Sequence, residues 1–149
     1  MILLDTNVVS ELMKAEVDPA VAAFVAMWQI DGVFLPSLVV AEIRYGPRRL
    51  PSGRRRDELS AAFETFLDAG FNGRILAFDL ACAEGYAVAR QARESAGRPV
   101  SVQDALIGGM ALAHGAVLVT RNVGDFDGYG LDLVDPWTGE ALSSSNLTK

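Results

Sequence analysis

Short apolar runs alternate along this chain with longer stretches whose apolar residues recur at helical spacing. Ile2-Leu3-Leu4, Val33-Phe34-Leu35, Ile75-Leu76-Ala77-Phe78 and Val117-Leu118-Val119-Thr120 read as strands, with Leu131-Asp132-Leu133-Val134 as a shorter fifth. Between them, helices are expected at residues 8–14, 19–29, 38–45, 55–69, 79–95 and 102–113. In the fourth of these, Leu59, Phe63, Phe66 and Leu67 form one apolar face. Local punctuation supports the boundaries. Thr6 or Asn7 can cap the first helix, Pro19 stands at a first-turn position, and Ser37 and Ser101 can cap later ones. Gly46-Pro47 is expected to interrupt the third helix, and residues 121–130 read as a polar loop. Strands separated by helices imply a three-layer α/β/α sandwich around a mostly parallel sheet of four to five strands. In such sheets ligands bind outside the carboxyl ends of the strands.

A chain of 149 residues is enough for one such domain. It is expected at residues 1–136, with 137–149 as a polar, flexible C-terminal tail and 143–149 unstructured. The longest apolar run, Ala20 to Trp28, is under half the roughly 20 residues of a membrane span, and Met1-Ile2-Leu3-Leu4-Asp5 has no basic leader region. A soluble, cytoplasmic protein without membrane partners is therefore expected. In that compartment the glycosylation pattern Asn146-Leu147-Thr148 has no consequence.

The inventory narrows the chemistry. Cys82 and His114 are the only residues of their types, so neither an internal disulfide nor a Cys/His zinc site can form. A Ser-His-Asp triad would need His114, and no G-x-S-x-G elbow accompanies it. Carboxylates abound: 19 Asp+Glu oppose 13 Lys+Arg, a net charge of −6. That balance argues against nucleic-acid binding by bulk positive charge, and leaves carboxylate–metal chemistry open.

Four acids attract attention, each with an ordinary alternative. Asp5 ends the first strand beside Thr6 and Asn7, and can equally be a helix N-cap. Glu42 is a charge among Leu38, Val39, Val40, Ala41 and Ile43, and needs a cation, an arginine or solvent; Arg44 or Arg49 can supply the arginine. Asp104 completes a capping box with Ser101, ahead of a largely apolar helix. Asp125 follows the fourth strand's polar end, Thr120-Arg121-Asn122, and taken alone is a loop acid. Together the four are consistent with a carboxylate ring around hard cations, which favour oxygen ligands.

These pieces resemble the PIN-domain nucleases, in particular the VapC-type toxins of bacterial toxin–antitoxin pairs. The resemblance rests on Leu3-Leu4-Asp5-Thr6-Asn7, on Ser37 with Ala41-Glu42-Ile43-Arg44-Tyr45-Gly46, on Asp104-Ala105-Leu106-Ile107, and on Val119-Thr120-Arg121-Asn122 with Asp125-Phe126. It implies a Mg²⁺-dependent endoribonuclease, with Mn²⁺ as a substitute, that cleaves RNA such as tRNA by metal-activated water. Asp5, Glu42, Asp104 and Asp125 would be catalytic. Asp5 and Asp104 would bind metal, and Glu42 and Asp125 would reach it directly or through water. The fourth acid departs from part of the family, where an acid stands in place of Asn122; the choice here falls on Asp125. Thr6, Asn7, Thr120 and Asn122 match supporting positions. The resemblance further implies a cognate antitoxin laid over the acidic groove, and a homodimer for which Met27, Trp28 and Trp137 are apolar enough, although core packing explains them too.

Five arginines, Arg48, Arg49, Arg54, Arg55 and Arg56, are candidate RNA contacts, because Arg meets phosphate in bidentate geometry. The alternative is a solvated helix start paired with Asp57 and Glu58. A receiver-type phosphoacceptor domain fits poorly, since the only lysines are Lys14 and Lys149. A haloacid-type phosphatase needs an acid where Asn7 stands. A catalytically silent binding module of the same fold is the remaining alternative.

Overall fold

In a computed structural model of the chain, residues 1–143 are described. The strands are β1 (Ile2–Leu4), β2 (Val33–Pro36), β3 (Ile75–Leu76), β4 (Val117–Val119), β5 (Leu133–Val134) and β6 (Ala141–Leu142). The α-helices are α1 (Thr6–Leu12), α2 (Pro19–Ala26), α3 (Ser37–Arg48), α4 (Arg54–Gly70), α5 (Leu80–Ser95), α6 (Val102–His114) and α7 (Val123–Phe126). One sheet of order β3-β2-β1-β4-β5-β6 joins them, parallel except for the antiparallel β5–β6 pair. The expected α/β sandwich is present, with six strands in place of four to five.

The topology makes β1 and β4 neighbours, in register Leu4↔Val119. From β1 the chain steps outward to β2 and β3, then returns across the sheet to β4. Right-handed crossovers in opposite directions put α1–α4 on one face and α5–α7 on the other. The point where the direction reverses lies between β1 and β4, where a parallel sheet opens a crevice at its carboxyl edge. Ile2, Leu3, Leu4, Leu118 and Val119 are wholly buried, as expected for central parallel strands covered on both faces.

The structure differs locally from the sequence reading. Of the three candidate caps of α1 it is Asp5 that serves, accepting a hydrogen bond from the Thr6 amide, while Thr6 and Asn7 lie inside the helix. Pro36, not Ser37, occupies the N-cap of α3. Gly46-Pro47 does not break α3, which continues to Arg48. A proline in the last turn removes only one ladder bond, and Gly46 relieves the clash a larger residue preceding proline would suffer. The helix then closes on tighter bonds from Arg49 N to Gly46 O and from Leu50 N to Pro47 O.

The expected strand at 75–78 is reduced to Ile75–Leu76. The loop 121–130 contains α7, a single turn too short to have shown periodicity. Within the expected tail, Trp137 packs against the core and β6 pairs with β5. Residues 144–149, including Asn146-Leu147-Thr148, lie outside the described residues. Among the described residues no helix is long and apolar enough to cross a membrane.

A glycine contact fixes α5 against α6. A Cβ on Gly109 would lie 2.7 Å from Tyr86 Cα and 3.0 Å from Cys82 O, and one on Gly85 would lie 3.0 Å from the Gly109 carbonyl carbon. The helices therefore touch backbone to backbone. Gly115, in the left-handed region at φ 56°, terminates α6.

Candidate functional site: a carboxylate cluster at the β1–β4 edge

Asp5 leaves β1 with its amide donating to Val119 O at 3.0 Å, which ties it to the end of β4. The residue is 6 % exposed, and its carboxylate accepts three hydrogen bonds, one at Oδ1 and two at Oδ2. Oδ1 accepts from Thr6 N at 2.8 Å; Oδ2 accepts from Thr120 Oγ1 at 2.7 Å and Asn7 Nδ2 at 2.9 Å. Burial pushes its pKa upward in spite of these bonds, and the charge of Glu42 adds to the rise. Thr120 is itself completely buried; its hydroxyl accepts from Asn7 Nδ2 at 3.2 Å and Asn122 N at 3.1 Å. Asn7 Oδ1 accepts from Arg121 N at 3.1 Å. Residues 5–7 and 120–122 thus form one hydrogen-bonded unit across the two strand ends.

Glu42 is half-buried on α3 and accepts from the Thr6 hydroxyl. It does not pair with Arg44, whose guanidinium makes a bidentate contact at 2.8 Å to Glu64 on α4. Asp104 sits in the first turn of α6, its amide donating to Ser101 Oγ at 3.3 Å, so the expected capping bond exists alongside a half-buried carboxylate. Burial raises the Asp104 pKa, followed by the charges of Asp125 and Asp5. Asp125 is exposed on α7. Asn122 stands at the N-cap of α7 without a side-chain capping bond, and engages Thr120 through its main-chain amide.

The four acids form a line of neighbours in electrostatic reach at the carboxyl edge: Glu42 with Asp5, Asp5 with Asp104, and Asp104 with Asp125. Among the described residues no three or more His, Cys, Asp or Glu side chains stand close enough together to hold a metal ion among them. The donor set is wholly oxygen, and its charges oppose one another without a cation. This suits Mg²⁺, which keeps several waters and takes one or two carboxylates.

His114 is at the far end of α6, about 15 Å of helix from Asp104. It lies 4.0 Å from the Sγ of buried Cys82, whose thiol pKa burial pushes up. Neither takes part in the cluster.

A groove of about 620 Å³ runs from Thr6 and Glu42 between α1, α3 and α4, lined further on by Pro47, Arg55, Leu59 and Phe63. Of the five candidate arginines, Arg55 borders this groove, Arg54 pairs with Glu58 at 2.6 Å, and Arg56 donates to Ser52 Oγ. Arg48 and Arg49 are exposed at the end of α3. Met27 is 75 % exposed, whereas Trp28 and Trp137 pack against the core.

Two residues near the cluster were not singled out by sequence: Arg93 and Tyr129, both buried behind Asp104 and Asp125. The signal for Arg93 was its place on the α5 stripe Cys82, Gly85, Ala89, Arg93, which spacing marks as inward-facing.

The chain is a small α/β protein with a parallel sheet and an acidic carboxyl edge, and comparison with known proteins gives the family. The PIN domain profile matches residues 2–129, and the chain belongs to the PIN-domain family. It is 38 % identical over 137 residues to VapC ribonuclease Y4jK of Sinorhizobium fredii, covering 92 % of this chain and 98 % of that protein. It is 33 % identical to toxin FitB of Neisseria gonorrhoeae, over 92 % of this chain and 99 % of that one. The crystal structure of FitAcB from the same organism superposes with a TM-score of 0.83, covering 92 % of this chain and 99 % of its counterpart.

Proposed function

We propose that this protein is the toxin of a toxin–antitoxin pair and acts as a Mg²⁺-dependent endoribonuclease, with tRNA or another structured RNA as substrate. The observation that carries the reading is the line of acids at the carboxyl edge: Glu42 beside Asp5 at the end of β1, then Asp104 and Asp125, each within electrostatic reach of the next. The names of its relatives, a VapC ribonuclease and a toxin, support the same activity.

In this reading Asp5 and Asp104 bind the ion directly, while Glu42 and Asp125 complete its surroundings. When bound, Mg²⁺ supplies a water of lowered pKa and offsets charge on the phosphodiester. The chain's own residues fix the geometry. Thr120 and Asn7 hold the Asp5 carboxylate, Thr6 holds Glu42, and Asn122 braces Thr120. Mn²⁺ satisfies the same oxygen donors. Arg48, Arg49, Arg54, Arg55 and Arg56 form a local cationic surface for RNA beside the groove, despite the overall charge of −6. The partner is a cognate antitoxin, in line with relatives solved as FitAB and VapBC complexes; the toxin itself is a cytoplasmic homodimer.

The test is cleavage of total tRNA by the protein purified free of partner, in Mg²⁺, Mn²⁺ or EDTA, beside Asp5→Asn and Asp104→Asn. Cleavage is expected only with a divalent ion and only in the wild type. Cleavage that persists in EDTA, or in both variants, refutes the proposal. A wild type inert toward every RNA supports instead a silent binding module.

A further inference from the structure

Arg93 is 7 % exposed, yet the hydrogen bonds it makes all go to main-chain carbonyls. A buried guanidinium is costly unless its donors are met, so these acceptors define what it does. Nε donates to Pro99 O at 2.6 Å; Nη1 donates to Gly124 O at 3.3 Å and also to Asp127 O. The Asp127 carboxylate is taken by a different residue, Arg98. The Arg93 cation lies 5.1 Å from the centre of the Tyr129 ring, a cation–π distance, and Tyr129 is 1 % exposed.

The three carbonyls belong to two segments that both matter. Pro99 lies on the approach to α6, five positions before Asp104, while Gly124 and Asp127 flank Asp125 on α7. Four residues form a single turn that cannot hold itself in water, so α7 takes its position from what it touches. One planar fork thus joins the approach to one acid with the turn that bears the other. A lysine keeps the charge but not the fork, and cannot span both segments.

We propose that Arg93 is a positioning residue: by holding the Pro99, Gly124 and Asp127 carbonyls together it sets the spacing of the Asp104 and Asp125 carboxylates, and through it their affinity for a divalent cation. The inference rests on the reading of those two acids as cation-binding. Tyr129 is the back wall that keeps the guanidinium in plane. Arg93 hydrogen-bonds neither carboxylate; its charge also favours ionised Asp104, a contribution that Arg93→Lys retains, so that variant isolates the backbone clamp.

The test is Mn²⁺ binding to the full chain without RNA, followed by the loss of the free-ion electron paramagnetic resonance signal below each variant's melting temperature. Arg93→Lys is expected to weaken Mn²⁺ binding about 10-fold or more, in the range seen when groups supporting metal ligands are removed. Tyr129→Leu, which leaves Arg93 in place, is expected to give a smaller loss. Arg90→Lys, on the same helix but outside the clamp, is expected to match the wild type. A folded Arg93→Lys that binds Mn²⁺ like the wild type, even with a lowered melting temperature, overturns the proposal. Should Arg93→Lys not fold, wild-type affinity in Tyr129→Leu overturns it as well. Asp104→Asn separates the two levels. Binding that survives Asp104→Asn overturns the ligand reading and the inference with it; binding lost in Asp104→Asn but intact in Arg93→Lys overturns the inference alone.

Discussion

Gly108 and Gly109 are adjacent in α6, yet alanine is expected to act oppositely at the two positions. A Cβ on Gly109 would meet main-chain atoms of α5, lying 2.7 Å from Tyr86 Cα and 3.0 Å from Cys82 O. Relaxed carbon contacts sit at about 3.5–4.0 Å, so the two helices must separate by about 1 Å. Overpacking of this kind costs about 1–3 kcal/mol, and rigid backbone on both sides puts the cost at the upper end. Alanine returns about 1 kcal/mol of helix propensity, leaving a net loss near 2 kcal/mol.

At Gly108 the nearest atoms are the ends of side chains, Leu131 Cδ1 at 3.4 Å and Tyr129 Cδ2 at 3.7 Å. There the propensity gain of up to about 1 kcal/mol is retained. The two variants are thus expected to differ by about 3 kcal/mol. At about 3 °C per kcal/mol for a domain of this size, that is a gap of roughly 9 °C in Tm. Thermal melting by circular dichroism in EDTA, with urea titration for the free energies, measures it. Equal melting temperatures for Gly108→Ala and Gly109→Ala would refute the backbone contact as the reason for glycine.

Further outcomes are expected at the acidic edge and the surface. Burial raises the folded pKa of Asp104, so its contribution to stability is fully present below the unfolded value near 3.8 and is lost as pH rises through the folded one. In EDTA, Asp104→Asn should therefore melt above the wild type at pH 7 and lose that advantage toward pH 4; an Asn variant less stable at pH 7 contradicts this. Mg²⁺, which binds ionised carboxylates, should stabilise the wild type increasingly as pH rises above the unfolded value of 3.8 and leave Asp104→Asn unmoved, as differential scanning fluorimetry would show. Thr120→Val removes a buried hydroxyl shared by Asp5, Asn7 and Asn122, and should cost about 2 kcal/mol with a fall in RNA cleavage; denaturation and cleavage assays test both halves. Arg44→Ala breaks only an exposed pair with Glu64, so a loss above about 1 kcal/mol, or one insensitive to salt, would be unexpected.

Much of this architecture was legible because it is periodic. Apolar triplets spaced by amphipathic stretches specify a parallel sheet, and Ser101, Asp79 and Gly115 bound their helices as local chemistry predicts. What escaped was either too short to be periodic or long-range. The turn α7 and the two-residue β6 offer no repeat to read. The adjacency of β1 and β4 joins residues more than a hundred positions apart, and no local signal encodes it. For the same reason no local signal brings Asp5 against Thr120. Glu42 was correctly marked as anomalous, but its partner, Thr6, lies on another helix and the neighbouring Arg44 turned elsewhere. Arg93 is the converse case: its position on the inward stripe of α5 is periodic and local, but the carbonyls it binds lie on two later segments.

The pairing of β1 with β4 also sets an order of events during synthesis. Asp5 is made well before Thr120, which orients it from 115 positions further along the chain, and before Asp125. The α5–α6 contact is local and can form early, but closing the edge requires the most distant pairing in the sheet, the slowest kind to form. A ribosome-bound or truncated chain ending before residue 117 has no β4 beside β1 and no completed acidic edge. On the proposed reading of that edge, a fragment ending there is inert by construction, and activity waits on the completion of β4 and α7.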